Sequence, residues 1–111
     1  MSTFERFEDI EAWRQARVLC AEIYGVSGKG AFAKDVALRD QIRRSSVSIA
    51  KGSAGEVRSQ LYIALDQGYV ERDSCKQLVG LAADTARMIA GFMKYLRKSG
   101  VKGTKYKTYH T

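Results

Sequence analysis

The chain has 111 residues and no proline, and its 19 lysines and arginines against 12 aspartates and glutamates give a formal charge of +7. A content of 45% hydrophobic and 28% charged residues is that of one globular domain with a modest core, and it excludes a disordered chain. No charge-free run exceeds seven residues, whereas a membrane-spanning helix needs about 20 mostly apolar ones, so a transmembrane helix is excluded.

From the N-terminus, Met1-Ser2-Thr3-Phe4-Glu5-Arg6-Phe7-Glu8 lacks the basic start and apolar stretch of a secretory signal, and a cytoplasmic protein is expected. Ile10, Trp13, Ala16, Cys20 and Ile23 step by 3, 3, 4 and 3, which predicts a helix over about residues 9–25 with these side chains on its buried face. Asp9 and Glu11 in its first turn suit the helix dipole without any catalytic role. Trp13 and Tyr24 read as packing residues rather than ligand-stacking ones. Gly25, Gly28 and Gly30 then end the helix.

A second helix is predicted from about Ala33, with Leu38, Ile42, Ser45 and Ile49 on one side. Its face is narrow and partly serine, which permits close helix approach. Ala54, Val57, Leu61 and Ala64 continue a similar stripe to about Asp66, where Gln67-Gly68 breaks it. Between the two stripes the only breakers are Gly52 and Gly55. Each glycine costs a helix about 1 kcal/mol relative to alanine, so one continuous helix over about residues 33–66 is allowed beside a truncated hairpin. One long helix would reach roughly 50 Å at 1.5 Å per residue and would need partner chains to cover it.

The last helix carries the most regular seam: Cys75, Leu78, Ala82, Ala86, Ile89, Phe92 or Met93, and Leu96. Ser74 with Gln77 fits a capping box at its start, and Gly100 after Arg97 and Lys98 fits its end. Residues 101–111 are polar and basic without periodicity and read as a flexible tail. The two cysteines, Cys20 and Cys75, read as reduced thiols on apolar stripes, a disulfide requiring the first and last helices to face each other closely. His110 lies near the end of that tail, and a zinc site would lack ligands.

The net charge is unevenly placed. Residues 1–33 hold four basic and five acidic side chains, residues 34–60 six and three, residues 61–93 three and four, and residues 94–111 six and none. Two sets of cations are candidates for binding RNA or DNA. Arg44, Lys51 and Arg58 are spaced 7 and 7, and in a continuous helix they would form one stripe flanked by Arg43, able to neutralise phosphates or else to form solvated or intersubunit ion pairs. Lys94, Arg97, Lys98, Lys102, Lys105 and Lys107 have no acidic neighbours, and Tyr106 and Tyr109 lie among them. Cations interleaved with aromatics suit contact with phosphates and stacking on exposed bases, and a solubilising terminus is the plainer alternative. Ser48-Ile49-Ala50-Lys51 matches a Ser-x-x-Lys spacing but lacks the companion motifs of acyl-transfer enzymes. Gly28-Lys29-Gly30 and Gly52-Ser53-Ala54-Gly55 lack the spacing of phosphate-binding or dinucleotide loops. No cofactor, metal or small-molecule substrate is indicated.

Several segments together resemble the family of four-helix bundle proteins encoded within inserts of bacterial 23S ribosomal RNA genes, the S23-type proteins. They are Phe7-Glu8-Asp9-Ile10 with Trp13 and Ala16, Ile23-Tyr24, Phe32 with Asp35 and Leu38, Gln41-Ile42-Arg43-Arg44-Ser45-Ser46-Val47-Ser48-Ile49, Ala50-Lys51-Gly52-Ser53-Ala54-Gly55-Glu56-Val57, Gln60-Leu61, and Gly68-Tyr69. Ile49 abuts Ala50 directly, where the resemblance expects a further stretch of roughly twenty residues, about five and a half turns at 3.6 residues per turn. The resemblance implies an antiparallel four-helix bundle, here with its middle hairpin truncated or fused, and a homo-oligomer of ring-like pentameric form. It implies no enzymatic activity. A related branch of accessory proteins of diversity-generating retroelements implies nucleic-acid binding. The expected function is a non-enzymatic oligomeric bundle that binds nucleic acid, with a purely structural or protein-interaction module as the alternative.

Overall fold

The structure, a computed structural model, describes residues 3–99, with side chains from residue 11 to residue 98. It is all-α: α1 (Thr3–Ser27), α2 (Gly30–Lys34), α3 (Val36–Val47), a 3₁₀ turn (Ile49–Lys51), α4 (Ala54–Asp66) and α5 (Arg72–Ser99). The four longer helices pack around one core in the cyclic order α1, α3, α4, α5. Leu19 and Ile23 of α1, Phe32 of α2, Leu38 and Ile42 of α3, Ile49, Val57 and Leu61 of α4, and Cys75, Leu78 and Ala82 of α5 form that core.

The region over residues 33–66 is a hairpin, not a continuous helix. α3 ends at Val47, the chain turns through Ile49–Lys51, and Gly52 adopts φ 92° and ψ 22°. Left-handed backbone of this kind disfavours any residue with a Cβ, which is why glycine stands at the reversal. Buried Ser53 then donates from Oγ to the Ser45 carbonyl at 2.6 Å, satisfying an acceptor left open in the last turn of α3. Ser45 and Ser46 are also buried and donate to the carbonyls of Gln41 and Arg43. Small hydroxylated side chains at this end let α3 and α4 approach closely.

The other hairpin end is fixed with equal economy. At the end of α4, Gly68 has φ 78°, its N–H donates to Leu65 O at 3.0 Å, and the Tyr69 N–H reaches back to Ala64 O at 2.9 Å. This paired pattern around a left-handed glycine closes off the helix carbonyls. It also throws Tyr69 against Phe32, their ring centroids 5.2 Å apart, with the Tyr69 hydroxyl donating to Asp35 Oδ2 at 2.9 Å. The other oxygen of Asp35 accepts from the Leu38 N–H at 3.2 Å and caps α3.

Two expectations need correction. α5 begins at Arg72, so Ser74 lies inside its first turn instead of capping it. Among the described side chains the buried face of α1 is Ala12, Leu19, Ile23 and Ser27, whereas Trp13 is 60% exposed and Cys20 half-buried; the side chain of Ile10 lies outside those described. The reason is helical phase: Trp13 and Cys20 each follow a buried residue, Ala12 and Leu19, by one position, about 100° around α1. α3 and α4 have 12 and 13 residues, while α1 and α5 have 25 and 28. Cys75 Sγ donates to Leu61 O and so pairs α4 with α5, the turn at Ile49–Lys51 also packs against α5, and Thr85 is the last buried residue of that helix among those described.

Candidate nucleic-acid interface

The structure separates the cations that a continuous helix would have aligned. Because the chain reverses at Gly52, Arg44, Lys51 and Arg58 do not form one stripe. Arg44 is exposed beside an open groove between α3 and α4 that Gln41, Ser45, Ser48, Glu56 and Gln60 also line. Lys51 is exposed at the hairpin tip. Arg58 follows buried Val57 by one residue, about 100° around α4, on the flank away from Glu56 and Gln60. The groove holds one cation, one carboxylate and two amides, so it does not concentrate positive charge. Gln60 Oε1 is buried there with no hydrogen-bond partner among the described residues.

Arg43 has an intramolecular role. Its Nε donates to the hydroxyl of fully buried Ser27 at 2.8 Å, its Nη2 lies 3.4 Å from Tyr24 O, and its guanidinium stacks over the Tyr24 ring at 4.5 Å. The planar cation thus satisfies carbonyl and hydroxyl oxygens at the end of α1 and favours the negative end of that helix dipole. Gly28 makes the approach feasible, since a Cβ there would sit 3.1 Å from Tyr24 O and 3.4 Å from Arg43 Nη2.

The end of α5 is different. Lys94, Arg97 and Lys98 are exposed, and none forms an ion pair with another described residue. Lys94 and Lys98 share a helix face with Arg87, seven residues before Lys94. Arg87 was not singled out by sequence spacing, although its heptad relation to Lys94 was there to find. Its own guanidinium is paired with Asp84, the last acidic residue of the chain. Three exposed cations within one and a half turns, without an ion-pair partner among the described residues, form a local positive surface, and the sequence continues it. Lys102, Lys105 and Lys107 lie outside the described residues.

Among the described residues, no group of three His, Cys, Asp or Glu side chains is placed to hold a metal ion, and no helix is long and apolar enough to cross a membrane. Ser48 is half-buried at the end of α3 and its N–H donates to Arg44 O, while Lys51 points from the tip. Cys20 and Cys75 are free thiols, and burial raises the pKa of Cys75 above its ordinary 9.0. Bonding to Asp35, desolvation and the Asp35 charge likewise raise Tyr69 above 10.0.

The fold and these side chains define an all-helical bundle with a cationic helix end. Comparison with known proteins adds no narrower name: no family model matches the chain, and neither a curated protein nor a solved structure does.

Proposed function

We propose that the protein is a non-enzymatic bundle that binds single-stranded RNA or DNA without strong sequence preference, through the C-terminal end of α5 and the basic residues that follow it. The observation that carries this reading is the exposed set Lys94, Arg97 and Lys98 on the last turns of α5, none of them ion-paired with another described residue. Cations held on a rigid helix displace counterions from phosphates, and Lys102, Lys105 and Lys107 with Tyr106 and Tyr109 extend the same chemistry. Arg44, Lys51 and Arg58 lie on separate surfaces and serve as secondary contacts. Arg43 serves the fold.

The relation to S23-type proteins is part of this proposal. It is supported by the helix order and by a hairpin short on both arms, as a segment missing after Ile49 would leave it. Homo-oligomerisation belongs to the proposal too, since repeating the cationic helix end multiplies binding by avidity.

The test compares two charge-reversal sets on a labelled oligonucleotide at low salt. Lys94→Glu, Arg97→Glu and Lys98→Glu together should weaken binding at least about tenfold, at roughly 1.4 kcal/mol per decade. Arg44→Glu, Lys51→Glu and Arg58→Glu should weaken it less. Equal affinity of the first set and the unaltered protein would defeat the proposal.

A further inference from the structure

The cations of α5 are gathered on one side of it. At 3.6 residues per turn, Arg72, Lys76, Arg87, Lys94, Arg97 and Lys98 fall within about 100° of one another, centred roughly 130° around the axis from buried Cys75, Leu78, Ala82 and Thr85. All of them are exposed, and only Arg87 is ion-paired with another described residue. Asp73 and Asp84, the acidic residues of the helix, border this arc on one edge, and Asp84 is the partner of Arg87. Between the cations the arc presents exposed Gly80, Ala83 and Ala90, so no long side chain stands over it, and a Cβ built at Gly80 meets nothing within 4 Å.

α4 adds a further cation. Cys75, bonded through Sγ to Leu61 O, is the member of the buried set nearest the arc, so the arc borders α4 on the edge opposite the two aspartates. Residues 67–71 alone separate α4 from α5, and packed helices joined so briefly run antiparallel. Arg58, one turn before Leu61 on the flank of α4 toward α5, therefore stands level with about Leu78. That is within the interval between Lys76 and Arg87, the longest on α5 without a cation of its own. From Arg72 to Lys98 the positive charges follow one another over about 39 Å at 1.5 Å per residue.

We infer that a single strand of RNA or DNA lies along this arc for the length of α5, with Arg58, Arg72 and Lys76 binding phosphates beyond those held at the helix end. Such a track rests on the nucleic-acid reading of the α5 end and extends it along the helix. Cations fixed on packed helices displace counterions from successive phosphates, and each contact adds to the salt dependence of binding. The strand is single because its bases have a ring to stack on: Tyr62, one turn beyond Arg58, is 50% exposed beside the track.

The test titrates the full chain with labelled oligonucleotides of about 4 and about 16 nucleotides, the span of ordinary single-strand sites, across a salt series. The long strand should give a slope of log affinity against log salt steeper by about 2 than the short one, from three further contacts at about 0.7 each. Arg58→Gln, Arg72→Gln and Lys76→Gln together should abolish that difference and weaken the long strand at least about tenfold at low salt, with helicity by circular dichroism retained. Arg14→Gln, Arg17→Gln and Lys29→Gln, the same change of charge at exposed sites on and beside α1, should preserve the difference. Equal slopes for the two strands, or a long-strand slope that the first set leaves unchanged, would overturn the track and leave the helix end as the site. A duplex of the same length bound more tightly than the single strand would overturn it too. No binding of either strand by the unaltered chain would overturn both the track and the reading on which it rests.

Discussion

Replacing Gly52 by alanine tests why the middle of the chain is a hairpin. Gly52 has φ 92°, and a Cβ built there meets nothing within 4 Å, so the substitution introduces backbone strain without a clash. Left-handed backbone costs an L-residue about 1–2 kcal/mol. The stiffer unfolded chain returns about 0.4–1 kcal/mol of this. A net loss near 1 kcal/mol is expected. Gly55, three residues on, is the matched control: it lies within α4 and also has nothing within 4 Å of a built Cβ. Alanine there should gain about 0.5–1 kcal/mol. The same chemical change therefore has opposite signs at two neighbouring glycines, and the variants should differ by about 1.5–2 kcal/mol. Urea unfolding followed by circular dichroism, at one protein concentration, should separate their midpoints by about 1 M for slopes of 1–3 kcal/mol per molar. If Gly52→Ala is as stable as Gly55→Ala, the reversal does not depend on the left-handed glycine, and the reasoning fails.

Four further outcomes follow from side-chain geometry. Arg43→Met should destabilise the fold by about 1–3 kcal/mol in the same assay, because it leaves the buried Ser27 hydroxyl and the end of α1 without their donor, and adding Ser27→Ala should recover part of the loss. Asp35→Ala should lose about 1 kcal/mol from the α3 cap alone. Tyr69 and Cys75 both have folded pKa values raised above 10.0 and 9.0, so their contribution to stability is complete below those values and is lost as pH rises through the folded ones. Melting temperature should fall on the alkaline side, less steeply in Tyr69→Phe, and at neutral pH a thiol reagent should modify half-buried Cys20 well before buried Cys75.

The α5 seam was readable in the sequence because Cys75, Leu78 and Ala82 repeat at helical spacing and no competing pattern interrupts them. The end of α4 was readable for a similar reason, Gln67-Gly68 being a strong local stop. The reversal at residues 48–53 was not. A glycine costs a helix only about 1 kcal/mol, less than the burial of Ile49 and Val57 can offset, so local pattern left hairpin and long helix nearly balanced. Tertiary packing decided between them.

Trp13 shows a different limit. Its spacing with Ala16 and Ile23 is that of a core residue, yet the buried face of α1 is centred on Ala12, Leu19 and Ile23, about 100° away around the helix, and which of two overlapping stripes turns inward is decided by the other segments. The cationic end of α5 was legible from charge alone. That Arg43 is committed to Ser27 and Tyr24 required coordinates, because a basic pair in a helix does not reveal which member turns inward.

The central claim, phosphate binding by the cationic end of α5, is tested most directly by titrating labelled single-stranded RNA with the full chain across a salt series. Three to six phosphate contacts at about 0.7 each predict that log affinity falls with log salt at a slope of about −2 to −4. No binding at low salt, or affinity that does not change with salt, would contradict it.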